Sequence, residues 1–280
     1  TDNGGGNPAT KTGFLKLCDR RFSHGLRKQE GADAWTPAIE DAYVESIRTG
    51  TIHQFVHDLR HVKDFRDNQT SLDDAHFEAY LADLVLEQYT AEIAVYDALR
   101  HHQGTVVPRL LAAVDLDLTP PGAEDNELFH VKGLLLEYYE SFPLSKLSPE
   151  EAPQSAWQSI VDQGIAAVHV LGDHYIMDDD RRPLNFIVFP DNKKDEGFRV
   201  LMVDFGCCRF KREDESKEEW ASEKITMDEE GAVGYLMKKW LDKKHGFQLH
   251  YEPSNRYHAD GLEYAQEIAR AELEQWDLEK

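Results

Sequence analysis

The first half of the chain alternates between strand-like and helix-like spacing of its apolar residues. Alternation typical of strands occurs in three segments, residues 14–18, 110–116 and 131–137. Helical spacing runs through residues 37–59, with Pro37 suited to a first turn and Gly50 to a break, and again through residues 77–99. The polar stretch at residues 23–35 predicts a loop.

The second half is mainly helical around one predicted hairpin. Residues 185–189 and 198–203 are typical of two strands joined by a polar turn. Amphipathic helices are predicted for residues 154–171, 228–243 and 260–278. The charged run at residues 211–219 predicts a solvated loop. This order predicts an α+β fold with two lobes, a small β-rich N-terminal lobe that includes a long helix and a larger, mainly helical C-terminal lobe.

The formal charge narrows the classes of partner. The 280 residues include 31 Lys and Arg but 53 Asp and Glu, which gives a net charge of −22. So acidic a surface repels phosphate backbones and anionic lipid, so we expect neither nucleic acid nor a membrane as a partner. The three cysteines, Cys18, Cys207 and Cys208, form no Cys-x-x-Cys pair and indicate a reducing, intracellular compartment, cytoplasmic or nuclear.

Three oxygen-bearing side chains lie at one end of the predicted hairpin. Asn185 opens the first strand and Asp204 follows the second, so strand pairing makes these two residues neighbours. Asp180 lies on the loop that leads to Asn185. Carboxylate and amide oxygens are hard ligands of the kind that Mg²⁺ takes while it keeps waters and nucleotide phosphates. The sequence therefore predicts a magnesium site at Asn185 and Asp204.

The motifs around these residues resemble the protein kinase-like superfamily. The catalytic loop of that family has an Asp, a basic residue two positions later and an Asn five positions after the Asp, which Asp180, Arg182 and Asn185 match. The tripeptide Asp204-Phe205-Gly206 matches the metal-binding motif of the family. The run Arg-x-x-Asn-Phe-Ile-Val that follows the loop looks most like fungal kinase-like proteins related to small-molecule phosphotransferases.

The resemblance extends upstream to an ion pair. Lys16 looks like the strand lysine that contacts the α- and β-phosphates of ATP, and Glu92 looks like the helix glutamate that pairs with it. The resemblance therefore implies a distance of about 4 Å or less between ammonium and carboxylate. Taken alone, Lys16 is also typical of an exposed strand, Glu92 of a solvated helix face and Arg182 of a surface charge.

The resemblance also implies where the adenine binds and how the lobes divide. Leu136 stands at the gatekeeper position, and backbone groups of Glu137 and Tyr139 would hold the adenine. Ile187 is assigned to the same nucleotide site. The implied N-lobe spans residues 1–136 and contains a helical insertion between Lys16 and the long helix. The implied C-lobe spans residues 137–280.

The function implied is that of an ATP- and Mg²⁺-dependent phosphotransferase of the kinase-like fold. Asp180 would accept the proton of an attacking hydroxyl and Arg182 would neutralise charge on the moving phosphoryl group, while the acceptor is an unknown protein or small molecule. The alternative is a pseudokinase that binds nucleotide, or none, and acts as a scaffold. A purely structural interaction protein is a third class, which leaves the clustered carboxylates unexplained.

The sequence departs from the family pattern at several points. No Gly-x-Gly-x-x-Gly motif precedes Lys16, so residues 4–6 are either a degenerate remnant of that loop or the loop lies outside this sequence. Asp178 stands where the family usually has His or Tyr. Asp178 and Asp179 are therefore alternative candidates for the base role of Asp180. No activation segment ending in Ala-Pro-Glu follows, which argues against an ordinary protein-substrate kinase.

Overall fold

The structure, a computed structural model, describes residues 12–69, 71–124, 126–191 and 197–278. It divides into two compact units, the first formed by Thr1–Ile93 with Arg109–Tyr138 and the second by Ala94–Pro108 with Tyr139–Lys280. Residues 4–6, the predicted remnant of a glycine loop, lie outside the described part of the chain.

The first unit combines a three-stranded antiparallel sheet with helices. Its elements in chain order are β1 (Gly13–Cys18), α1 (His24–Gln29), α2 (Pro37–Arg48), α3 (His53–His61), α4 (Asp74–Ala98, of which residues 94–98 belong to the second unit), β2 (Leu110–Asp117) and β3 (His130–Glu137). The strand order is β1-β3-β2, and Lys16 on β1 lies opposite Leu134 on β3. The three strands and the long helix predicted for this half are confirmed to within a few residues.

The helical insertion between β1 and α4 has its own apolar core. Helix α2 begins where the Thr36 hydroxyl accepts a hydrogen bond from the Ile39 N–H at 3.3 Å, and Pro37 occupies the first turn. Gly50, at φ +74°, allows the turn between α2 and α3 and confirms the predicted break. The buried cluster of this segment comprises Tyr43, Ile47, Ile52, Phe55, Val56, Leu59, Ala79 and Phe129.

Gly133 on β3 lets the strand that carries Lys16 approach closely. A Cβ atom at this position would lie 2.6 Å from the backbone oxygen of Lys16 and 2.9 Å from Cδ2 of Leu17. Both distances are shorter than van der Waals contact, so any larger residue would displace β1. The absence of a side chain at Gly133 therefore helps to fix the position of Lys16.

The second unit is mainly helical around the predicted hairpin. Its remaining elements are β4 (Phe142–Pro143), α5 (Gln154–Asp173), β5 (Ile176–Asp178), β6 (Phe186–Pro190), β7 (Phe198–Met202), β8 (Cys208–Phe210), α6 (Lys217–Met227), α7 (Glu229–His245) and α8 (His258–Leu278). Strands β6 and β7 pair antiparallel, from Phe186 opposite Met202 to Pro190 opposite Phe198, which confirms the hairpin. Strand β7 packs on α5, and α5 packs on α7.

Two predicted loops are wrong in part. Residues 24–29, inside the predicted loop at 23–35, form helix α1, a short polar helix that has too few turns to show an apolar period. The predicted solvated loop at 211–219 contains the fully buried side chain of Glu215, and its last residues begin α6 at Lys217. Ser216 and Glu219 form a capping box there, a Ser-x-x-Glu pattern that is visible in the sequence.

The fold class predicted from the sequence is confirmed: the structure is α+β, with a small sheet-containing unit and a larger, mainly helical one. Within the described residues, none of the helices combines the length and the apolar character required to cross a bilayer. Within the described residues, Cys18, Cys207 and Cys208 form no disulfide.

Candidate active site

Lys16 and Glu92 form an ion pair within the first unit. Nζ of Lys16 lies 2.6 Å from Oε2 of Glu92, although 76 positions separate the two residues. The Glu92 side chain is only 2% exposed, whereas Lys16 is 29% exposed. Strand β1 thus presents an ammonium that a buried carboxylate orients while part of it stays accessible to a ligand. The predicted distance of about 4 Å or less is met.

The residues predicted to hold adenine lie at and after the end of β3. Leu136 is buried, and the Glu137 N–H donates to the backbone oxygen of Arg109 at 2.9 Å. Tyr139, in the second unit, packs its ring against Phe189 at a centroid distance of 4.4 Å.

The hairpin brings Asn185 and Asp204 together at one end, as predicted. The N–H of Val203 donates to the backbone oxygen of Asn185 at 2.8 Å, and Asp204 is the next residue. Asp204 has φ +69°, a left-handed conformation that is uncommon outside glycine and that Asp tolerates better than most residues. Such backbone conformations concentrate at functional sites. Ile187 lies one position further along β6 than Phe186, opposite Leu201.

A second pair of short strands fixes the other end of the same loops. Asp178 on β5 lies opposite Cys208 on β8, and the Asp179 N–H donates to the backbone oxygen of Cys207 at 3.1 Å. The loop that carries Asp180 is therefore tied at both ends to the segment that carries Asp204. Strands of three residues carry too little sequence pattern to be predicted.

The Asp180 side chain is held by the two residues that the motif spacing selects. Nδ2 of Asn185 donates to the backbone oxygen of Asp180 at 2.8 Å and to its Oδ2 at 3.2 Å. The Arg182 guanidinium contacts the same Oδ2 at 2.5 Å. Within the described residues, Oδ1 of Asp180 accepts no hydrogen bond.

Asp178 is buried beneath the loop. Its side chain has no exposed surface, and its Oδ1 accepts the Asp180 N–H at 2.9 Å. Burial, helped by the carboxylates of Glu229, Asp180 and Asp204, raises the pKa of Asp178 to about 7. A residue with no exposed surface cannot reach a substrate, so Asp178 is a poor alternative to Asp180 as the base. It supports the loop instead.

A buried ion pair that the sequence does not predict anchors this loop. Oε1 of Glu229 accepts the Asp178 N–H at 2.8 Å, and Oε2 of the same residue pairs with the Lys224 ammonium. Lys224 and Glu229 are each about 3% exposed. Asp178 and Glu229 are 51 positions apart and Glu229 lies among the acidic residues that open α7, so no local signal in the sequence identifies the contact.

The oxygen atoms of Asn185 and Asp204 at the hairpin end fit a magnesium ion whose remaining ligands are water and phosphate. Asn185 donates through Nδ2, which leaves its amide oxygen as an acceptor, and Asp204 is an exposed carboxylate in the adjoining turn. Mg²⁺ in nucleotide sites commonly takes one or two protein oxygens and completes its shell with water and phosphate. Over residues 12–69, 71–124, 126–191 and 197–278, no group of three or more His, Cys, Asp or Glu side chains is arranged to hold a metal ion.

Comparison with known proteins gives structural similarities only. No protein-family model matches the chain, and no curated protein matches it. The chain is similar to the Rio2 kinase-ADP/Mg²⁺-phosphoaspartate complex from Chaetomium thermophilum, with 16% identity, coverage of 65% of this chain and 44% of that one, and a TM-score of 0.41. It is also similar to the Rad53 kinase domain and SCD2, with 15% identity, coverage of 60% and 55%, and a TM-score of 0.35. The chain thus spans about half the length of these structures.

Proposed function

We propose that this chain binds ATP with Mg²⁺ and transfers the γ-phosphoryl group to a hydroxyl of a protein or small molecule. The observation that supports this most is the Lys16–Glu92 ion pair at 2.6 Å. The resemblance to the kinase-like superfamily implies this contact across 76 positions, and nothing local in the sequence would produce it. The similarity to fungal relatives of small-molecule phosphotransferases, and an intracellular location, remain part of the proposal.

Residues of the first unit would bind the nucleotide. The accessible part of the Lys16 ammonium would contact the α- and β-phosphates, with Glu92 as its orienting partner. Leu136 and Glu137, with Tyr139 of the second unit, would contact the adenine. These residues supply position and charge, which are the main requirements of phosphoryl transfer.

Residues of the second unit would bind the metal and act on the hydroxyl that accepts the phosphoryl group. Asn185 and Asp204 would hold Mg²⁺, which when bound supplies neutralisation of phosphate charge. Asp180 would accept the proton of the acceptor hydroxyl through Oδ1. Arg182, already in contact with Oδ2 of Asp180 at 2.5 Å, would place positive charge beside the moving phosphoryl group. Ile187 would contact the nucleotide from β6.

One observation favours a second candidate, a pseudokinase that acts as a nucleotide-binding or scaffold module. The sequence contains no Gly-x-Gly-x-x-Gly motif ahead of Lys16. Loss of that loop would weaken the hold on the phosphates, since backbone N–H groups of such loops bind them directly. The kept set of Lys16, Glu92, Asp180, Asn185 and Asp204 favours the enzyme, because a scaffold does not require all five.

Labelled ATP separates these candidates. The full chain is incubated with Mg²⁺ and γ-labelled ATP, ATP binding is measured by calorimetry, and release of label to water or to added hydroxyl compounds is followed in parallel. Binding with turnover that depends on Asp180 supports the phosphotransferase. Binding without turnover supports the pseudokinase, and absence of binding would remove both nucleotide-dependent functions.

A further inference from the structure

The first unit contains a cavity of about 350 Å³ that the proposed active site does not use. It lies among α2, α3, α4, the end of β1 and the start of β3, entirely within this unit. Its volume falls in the range of roughly 300–1,000 Å³ typical of small-molecule sites.

One wall of the cavity is apolar. Five side chains form it, two of them neighbours on α4: Val44, Val85, Leu86, Leu118 and Phe129. Two of them, Val85 and Phe129, are almost fully buried, at 5% and 6% exposure, so the wall is backed by packed core. A surface of this kind favours the apolar body of a ligand, since each buried CH₂ group contributes about 0.8 kcal/mol.

The polar part of the cavity is rich in cations for so acidic a chain. Its lining carries four basic residues, Arg20, Arg21, Arg60 and Lys132, against three carboxylates, Asp19, Glu40 and Glu127. The whole chain has a net charge of −22. The lining itself thus has one more cation than carboxylates, while Glu78, Asp83 and Asp115 pair with Arg20, Arg60 and Lys132 from outside it. The donors of the arginines, rather than the net charge, would therefore favour an anionic ligand group.

The arginines keep donors available to such a group. Arg60 donates through Nε to Asp83 at 2.7 Å and through one Nη to Glu127 at 2.5 Å. Arg21 donates through Nε and one Nη to Asp19. A guanidinium carries five N–H donors, so in the part of the chain that the structure describes each arginine has a second Nη to offer a ligand. These existing pairs hold the arginines in place and reduce the ordering that binding would require.

From these features we infer that the cavity binds a small amphipathic anion, a molecule with an apolar body and one carboxylate, sulfonate or phosphate group. The site touches both elements of the ion pair described above. Cys18, on its wall, is two residues from Lys16 on β1, and Leu86 is six residues from Glu92 on α4, about 9 Å along the helix. A ligand here would therefore contact the strand and the helix whose spacing sets the Lys16–Glu92 distance.

Two fluorescent probes that differ in one group test the inference on the full chain. The first, 8-anilinonaphthalene-1-sulfonate, has an aromatic body and a sulfonate. The second, N-phenyl-1-naphthylamine, has the same body without the charge. We expect the sulfonate probe to bind saturably at one site, with an affinity about tenfold higher than that of the neutral probe. About a tenfold ratio is the effect expected of one charge-assisted hydrogen bond.

Substitutions assign the binding to the cavity. Arg21→Gln should lower the affinity for the sulfonate probe about tenfold and leave the affinity for the neutral probe unchanged. Ala82→Leu, which places a larger side chain from α4 in the cavity, should remove saturable binding of both probes. Arg100→Gln, an exposed cation outside the cavity, is the control and should change neither. If Ala82→Leu fails to fold, Arg21→Gln decides alone. Equal affinity of the sulfonate probe for wild type and Arg21→Gln, or no saturable binding to wild type, would overturn the inference.

Discussion

Nζ of Lys16 and Oε2 of Glu92 lie 2.6 Å apart although a helical insertion separates the two residues in sequence. Strand β1 holds the lysine against β3, and α4 holds the glutamate. The contact thus depends on the packing of the whole first unit. It also makes Glu92 the residue whose loss should separate function from stability.

Glu92→Gln should weaken the binding of ATP with Mg²⁺ roughly tenfold or more, because a neutral amide orients the Lys16 ammonium poorly. The free energy of unfolding should change by no more than about 1 kcal/mol, since Lys16 remains partly exposed and can be hydrated. Calorimetric titration and denaturant unfolding measure the two quantities. Glu87→Gln is the matched control on the same helix, because Glu87 pairs with Arg66 and is 58% exposed. Equal loss of affinity in both variants would contradict the role of Glu92.

Asp180→Asn should leave ATP affinity nearly intact and slow turnover by about 10²–10⁴-fold, the usual effect of losing a general base. The amide can still contact Arg182 and Asn185 but cannot take a proton. The exposed neighbour offers the control variant Asp179→Asn, which should keep its turnover. Turnover measured with labelled ATP decides the matter, and full activity of Asp180→Asn would remove that residue from the base role.

Gly133→Ala should destabilise the first unit by roughly 1–3 kcal/mol, because its Cβ would meet the Lys16 backbone oxygen at 2.6 Å. Displacement of β1 should also reduce ATP affinity. Gly25→Ala is the control, since a Cβ there meets nothing within 4 Å and alanine favours the helix in which it lies. Urea unfolding of both variants measures the difference. A Gly133→Ala variant as stable as wild type would mean that β1 shifts at no cost.

The pH dependence of stability should reveal the buried Asp178 carboxyl. Its pKa is raised to about 7 in the folded chain, against about 3.9 in the unfolded chain. Between these values the folded state binds the extra proton, so this group stabilises the fold at low pH and the contribution is lost as pH rises through about 7. In Asp178→Asn, the fall in unfolding free energy from about pH 4 to above pH 7 should be smaller by roughly 1–3 kcal/mol.

Urea unfolding at several pH values across that range measures this slope, that is, how steeply the free energy of unfolding falls with pH. Asp179→Asn again serves as the control, because its exposed carboxyl should leave the slope as in wild type. A slope unchanged in Asp178→Asn would show that another group carries the pH dependence.

The parts of the site that follow strong local patterns could be predicted from the sequence. The alternation around Lys16, the helical period around Glu92 and the two strands of the hairpin each span enough residues to be recognised. Once the hairpin is placed, the proximity of Asn185 and Asp204 follows from strand pairing alone.

Other parts depend on contacts that no local pattern encodes. The burial of Asp178 and the bond from its N–H to Glu229 require α7 to pack beneath the loop, and an acidic residue there resembles an ordinary solvated helix start. The six-residue helix α1 is too short to show a period. The Ser216–Glu219 capping box, by contrast, was visible in the sequence and marks the start of α6.

The most direct test of nucleotide binding is the melting temperature of the full chain with ATP, with and without Mg²⁺, in wild type and in Asp204→Ala. A ligand that binds only the folded state at a hundredfold excess over its Kd adds about 2.7 kcal/mol of stability. We expect ATP with Mg²⁺ to raise the melting temperature of wild type and of the control variant Asp214→Ala, because the Asp214 side chain is 90% exposed. The rise should largely vanish without Mg²⁺ and in Asp204→Ala. No rise in wild type, or an equal rise in Asp204→Ala, would contradict it.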